Sequence, residues 1–225
     1  MMRIIIFGNA KLAELAYFYF KNDSKFDVLG FTVNKDYIES EKFFDLPMVP
    51  FEGIEKVYPP SEFKMFVAIG YSELNSIREN IYYDAKSKGY TLVSYISSKA
   101  SFWSDLVYGE NCFILENQVI QPFVKIGNNV TIWGNSHFGH NTIIEDHCWI
   151  SPHAAICGGV KIGHNSFIGA NVTVRDNSQI GSKCIIGAGA IIHNDTKDNE
   201  VFIAQPTDKY RLDSEKFQRL MNISK

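Results

Sequence analysis

The chain has no CxxC pair among its four cysteines, which removes zinc-ribbon and dithiol redox chemistry from consideration. It has no excess of basic residues. A net charge of −3 leaves no electrostatic footprint for nucleic acid. It also has no apolar stretch of membrane-spanning length. The N-terminal run Ile4-Ile5-Ile6-Phe7 is four residues long, too short for a signal-peptide core. A cytoplasmic protein with reduced thiols is expected, without membrane insertion. The G-x-G-x-x-G phosphate fingerprint is missing as well.

What is present is an ordinary globular composition, 45 % hydrophobic and 21 % charged over 225 residues, enough for one large domain or two small ones. The first half alternates strand and helix patterns. "RIIIFG" (3–8), "FDVLGFTV" (26–33), "KMFVAIG" (64–70) and "TLVSYI" (91–96) read as strands, and "KLAELAYFYFKND" (11–23) and "SELNSIRENIYYDAKSKGY" (72–90) as helices. This order predicts a small open parallel α/β sheet, which binds ligands at the carboxyl ends of its strands. The first strand–helix turn, Gly8-Asn9-Ala10-Lys11, admits two readings: a plain tight turn, or a degenerate nucleotide loop with Lys11 near an anion-attracting helix N-terminus.

Near residue 107 the period changes to six. From Ile114 to Ile192 every sixth residue is Ile, Val or Phe, fourteen in succession, and the fourth residue after each is small or β-branched from Val124 to Thr196. Chance does not produce this. One large residue pointing inward per short strand, and three strands per 18-residue turn, describe a parallel β-helix whose coils pair about 4.8 Å apart. The hexads fail at Asp198. "SEKFQRLMN" (214–222) reads as a terminal helix that caps or crosses the last coil. The expected divisions are an α/β domain over 1–96, the β-helix over 97–203 and a tail over 204–225.

The register gives each chemical side chain an address. Cys112, Cys148 and Cys184 occupy the small inward position, where a thiol is packing material. Cys157 follows an inward Ile. All six histidines miss the inward positions and are expected to face outward. Residues stack only at separations near 18, and no two histidines do, so one chain is not expected to form a tetrahedral metal site. His140 stacks on Gly158. There the histidine can act as a general base while the glycine permits close backbone approach and offers an N–H to a developing oxyanion.

Hexads such as "KIGHNSFIGANV" and "QIGSKCIIGAGA" resemble the hexapeptide-repeat acyltransferases, which are left-handed β-helices that act as trimers and use acetyl-CoA. With "RIIIFGNAK", "VAIGYSELNSIR" and "YISSKASFWSD" preceding them, nearly the whole chain looks like the branch that holds nucleotide-amino-sugar N-acetyltransferases and sialic-acid O-acetyltransferases. The resemblance implies an α/β domain followed by a left-handed parallel β-helix. It implies acetyl-CoA as co-substrate, no metal, and a homotrimer acting on a nucleotide-linked amino sugar for surface glycans. "GHNTIIEDHCWISPHAAICGGVKIG" (139–163) places His140 at the family's general base, with Asn141 where the family carries an acid. Either the base is weaker here, or another carboxylate, such as one from a neighbouring subunit, takes that role. CoA contacts are implied at Gly158, Ala170 and Ala188, and nucleotide-sugar contacts at Asn9, Ala10, Lys11, Asn34, Lys35 and Gly70. The alternatives are an O-acetyltransferase on a sialic-acid-like hydroxyl, an inactive scaffold, and a metal-dependent β-helix lyase or hydratase with histidines converging between subunits.

Overall fold

The computed structural model describes residues 2–222. Its N-terminal part is a sheet of β1 (Met2–Phe7), β2 (Phe26–Val33), β3 (Lys42–Phe43), β4 (Leu46–Pro50) and β5 (Lys64–Val67), in the order β3-β4-β2-β1-β5. The pairs β1–β2, β1–β5 and β2–β4 are parallel, and only the short β3–β4 hairpin is antiparallel. The strand β1 is apolar throughout its second half because it lies at the centre, with Ile4, Ile5 and Ile6 fully buried. Helix α1 (Lys11–Asn22) covers one side through Ala13, Ala16 and Phe20, and α2 (Ser76–Ser87) covers the other. The helix expected from residue 72 starts four residues later. Glu73, Leu74 and Asn75 are all left-handed (φ 49–67°) and form a turn instead.

The segment 91–96 is not a full strand of that sheet. Only Leu92 bridges to Met65, while Tyr95–Ile96 pairs with Phe113–Ile114 and opens the second architecture. Two-residue strands then follow every six residues and form three parallel sheets of a left-handed β-helix. In chain order, Phe113–Ile114 lies on the first face with Tyr95–Ile96, Val119–Ile120 on the second, and Lys125–Ile126 on the third. All fourteen large hexad residues are at most 4 % exposed, from Ile114 to Ile192. Burying each is worth roughly 1.5–3 kcal/mol, and this column is the core of the domain. The stack outlasts the sequence repeat by one strand, Val201–Phe202, which pairs with Ile185–Ile186.

Each turn between faces needs one residue in left-handed backbone. It falls at every sixth position from Asn111 to Gly189, and eight of these residues are asparagine. Asparagine tolerates that conformation better than other side chains except glycine. The final helix, α3 (Ser214–Asn222), forms as expected but has no buried residue. It does not pack across the last coil.

Candidate functional site

The faces and corners sort the site residues. His140 follows the second-face strand His137–Phe138 and sits at the corner leading to the third face, opposite the first. His140 is exposed, with its ring held by one hydrogen bond and its backbone by another. Nδ1 lies 3.0 Å from Asn141 Oδ1, and the backbone N–H donates to Gln121 Oε1 at 2.8 Å. An amide oxygen only accepts, so Nδ1 is the donor, and in the neutral ring this leaves the lone pair on Nε2. Asn141, which stands where the resemblance anticipates an acid, is one of the left-handed corner residues (φ 60°), a conformation that asparagine and aspartate both tolerate. It orients the ring without contributing charge.

Gly158, one coil on, lies directly beneath that ring. A Cβ there would meet His140 Nε2 at 2.8 Å. The oxyanion role expected for its N–H is not available, because that N–H donates to Asp176 Oδ1 at 2.9 Å. Gly158 supplies space, not a donor. Gln121 and Asp176 were not singled out from sequence. Their signal is positional, 19 and 18 residues from the groups they hold.

The dipeptide His164–Asn165 repeats the geometry, with Nδ1 to Oδ1 at 2.9 Å. Its surroundings differ. Asn165 is buried, donates to Glu79 Oε2 at 2.7 Å, and its carbonyl accepts from Asn75 Nδ2. His164 thus belongs to the contact between α2 and the β-helix.

His147 shows that facing outward from the coil is not the same as facing solvent. It leaves the coil outward yet is 2 % exposed, covered by α2. Its Nδ1 pairs with Asn129 Nδ2 at 2.8 Å, and Nε2 faces Tyr83 and Glu79. Desolvation lowers its pKa, opposed by Glu79 and Asp146. Beside it Arg78 is fully buried and, among the described residues, has no carboxylate partner. It donates to Asn75 Oδ1, the carbonyls of Asn129, His147 and Cys148, and Thr131 Oγ1, with its guanidinium 5.6 Å from the Trp149 ring. Burial pulls its pKa down to about 10. The three inward cysteines are buried as expected, and Cys157 is half-buried. Among the described residues no cluster of three or more His, Cys, Asp or Glu has metal-holding geometry.

The nucleotide-sugar candidates converge at the carboxyl ends of β1, β2 and β5. Gly8 N–H donates to Thr32 O, Asn9 Nδ2 donates to Tyr37 O at 2.8 Å, and Gly8 (φ 139°) leaves no room for a side chain beside Ala68 O. Ala10 caps α1 without a side-chain hydrogen bond, and the Ala13 N–H donates to Ala10 O, so the N–H groups of Lys11 and Leu12 are the ones open to an anion among the described residues. Asn34 Oδ1 is buried with no partner among the described residues, while Lys35 is exposed and its N–H is held by Glu52. Lys11 and Gly70 sit on the rim of a cavity of about 790 Å³ between α1 and the first face, floored by Tyr71, Trp133 and Trp149. His140 does not line it. Ala170 and Ala188 follow first-face strands one coil apart, at the corner between the first and second faces. One chain therefore brings the nucleotide candidates together, but places His140 on the opposite side of the prism.

Residues 141–176 match the bacterial transferase hexapeptide (six repeats) family model. No curated protein matches the sequence. Among solved structures, the acetyltransferase domain of PglB from Neisseria gonorrhoeae FA1090 in complex with acetyl coenzyme A superposes with a TM-score of 0.76 at 21 % identity, covering 88 % of this chain and 94 % of that one. A His-to-Asn variant of perosamine N-acetyltransferase from Caulobacter crescentus, in complex with CoA and GDP-perosamine, gives 0.78 at 22 % identity over 89 % and 93 %. WeeI from Acinetobacter baumannii AYE gives 0.75 at 17 % over 89 % and 96 %. The shared feature is the fold, an α/β sheet leading into a hexapeptide β-helix.

Proposed function

We propose that the protein is an acetyl-CoA-dependent N-acetyltransferase acting on a nucleotide-linked amino-deoxy sugar. The observation that carries this reading is His140, a tautomer-fixed imidazole whose Nε2 lies open above a side-chain-free Gly158. Two structural neighbours hold acetyl coenzyme A, or CoA with GDP-perosamine, and both ligands suit this architecture. The phosphates of the acceptor meet the open N–H groups of α1 and Lys11, and its sugar lies toward the Trp133–Trp149 floor. The pantetheine arm runs past Ala170 and Ala188.

Because His140 faces away from that cavity, the reading requires a second copy to bring its base to the acceptor. Exposed apolar residues on both faces beside His140 suit such a contact: Val119, Phe123 and Ile143 are 40–62 % exposed. A homotrimer is the assembly proposed. Within a ternary complex the amine lone pair attacks the thioester carbonyl and a C–N bond forms. The amine proton passes to His140 Nε2, the C–S bond breaks, and the proton leaves with the CoA thiolate. No acyl-enzyme is required.

The test is CoA thiol release from acetyl-CoA with GDP-, UDP- and dTDP-linked 3-amino- and 4-amino-deoxy sugars, and with sialic acid. Turnover with an amino sugar that disappears in His140→Ala, at unchanged oligomeric state, is expected. Turnover retained in His140→Ala overturns the base assignment. Turnover with sialic acid alone transfers the reading to O-acetylation.

A further inference from the structure

Resting on that reading, the corner that carries His140 contains one more feature suited to the acceptor. The charged or titratable groups along it are Asp105, His140, Cys157, Arg175, Asp176, His193 and Asp195, of which Asp105 is spent on the Phe123 N–H at 2.7 Å, toward the start of the stack. Asp195 is spent on the Gln179 N–H at 2.9 Å, well along the stack. Asp176 lies against the same glycine as the base: its Oδ1 takes the Gly158 N–H, while His140 Nε2 hangs over the Gly158 α-carbon. It is exposed, and among the described residues its second oxygen has no hydrogen-bond partner.

The structural part of this role does not need a charge. At another corner Asn128 Oδ1 accepts the Glu110 N–H at 2.9 Å across the same 18-residue step, with a neutral amide. The negative charge at 176 is thus surplus to the hydrogen-bond ladder. Asn141, the other group beside the ring, has no charge to offer. We propose that Asp176 anchors the acceptor's ammonium beside His140, and so makes the site select amine over hydroxyl acceptors.

An amino sugar arrives at neutral pH mainly as an ammonium. One N–H donates to Asp176 Oδ2 in a charge-assisted bond and holds the nitrogen at the imidazole. A first proton leaves to solvent through Nε2. The freed lone pair forms the C–N bond as the C–S bond breaks, and a second proton passes through Nε2 to the departing thiolate. A hydroxyl gains no comparable attraction from the carboxylate, since it carries no positive charge.

Asp176→Asn keeps the bond to Gly158 and removes only the charge. Calorimetry with GDP-, UDP- and dTDP-linked amino-deoxy sugars, GDP-perosamine among them, is compared with the same nucleotide sugars bearing a hydroxyl in place of the amine. In the wild type the amine partner of a pair is expected to bind about tenfold more tightly, the scale of one charge-assisted hydrogen bond. In Asp176→Asn that preference is lost, while the hydroxyl partner's affinity and the thermal midpoint stay unchanged. A preference that survives in Asp176→Asn, or no amine preference in any wild-type pair, overturns the proposal. A wild type that prefers the amine yet releases no CoA leaves Asp176 in this role and overturns the acetyltransferase reading instead.

Discussion

The imidazole edge of His140 rests on Gly158 so closely that a methyl group at residue 158 would come within 2.8 Å of Nε2. The glycine is therefore a condition on where the imidazole can be. Gly158→Ala is expected to displace the ring, because the backbone beneath it belongs to the β-helix ladder and has less freedom than an exposed side chain. Misplacing a base by a fraction of an ångström costs roughly 10- to 100-fold in kcat. The thermal midpoint should move little. Wild-type turnover in Gly158→Ala would show that the ring does not work from this position.

Asn141 serves both the turn and the ring. Asn141→Ala should lose about 1 kcal/mol of stability through its left-handed backbone, together with about tenfold in kcat as the imidazole loses the partner that fixes its tautomer. Asn141→Asp retains both services and adds charge, so its turnover should equal or exceed that of the wild type. Chemical denaturation and steady-state kinetics on the two variants separate these effects. An alanine variant as active as the aspartate variant would refute the orienting role.

His147 makes the seating of α2 dependent on pH. Burial depresses its folded-state pKa below the unfolded value of about 6.5, so the neutral ring is the form that fits. Its stabilising contribution is fully present above that unfolded value and falls away as pH drops toward the depressed one. The thermal midpoint should decline between pH 7.5 and pH 5. In His147→Asn, which suits the left-handed corner as eight other asparagines do, that decline should be shallower. Parallel curves for the two proteins would remove His147 as the cause.

Cysteine reactivity tests the register directly. Cys112, Cys148 and Cys184 are fully buried, and burial pushes the thiols of Cys112 and Cys148 up to about 11 and about 12. Cys157 is only half-buried. An aromatic disulfide reagent at pH 8 should label one thiol in the native protein and four in denaturant. Rapid native labelling of more than one would mean that the hexad assignment is out of step.

The β-helix was legible because its period is short and rigid. Every coil repeats the same inward demand, so Ile150 and Ile168 could be placed without a structure. The strands and helices of the α/β half were legible for a similar reason, since β1 and β2 are apolar where they are central. What the sequence did not disclose depends on contacts between the halves. Nothing around Arg78 announces that it would be buried against β-helix carbonyls, and nothing around His147 announces that α2 would cover it. Those positions are set by docking, which has no period. The asparagine column was visible at every sixth residue, but its meaning rests on backbone torsion, which a hydrophobic pattern does not report. Asp176 was hidden because its relation to Gly158 is a separation of 18, apparent only when coils are laid side by side.

The 18-residue coil also sets which changes in length the molecule tolerates. Removing a single residue between 111 and 189 would turn everything downstream by a fraction of the prism, sending isoleucines outward, and a removal between 140 and 158 would also detach Gly158 from His140. Removing or duplicating a whole coil would return each remaining side chain to its own face. Natural variation in this part of the chain should thus come in lengths of whole coils, with single insertions confined to corner loops. Distance along the axis could then be adjusted to a longer or shorter donor arm without disturbing the chemistry at any one corner.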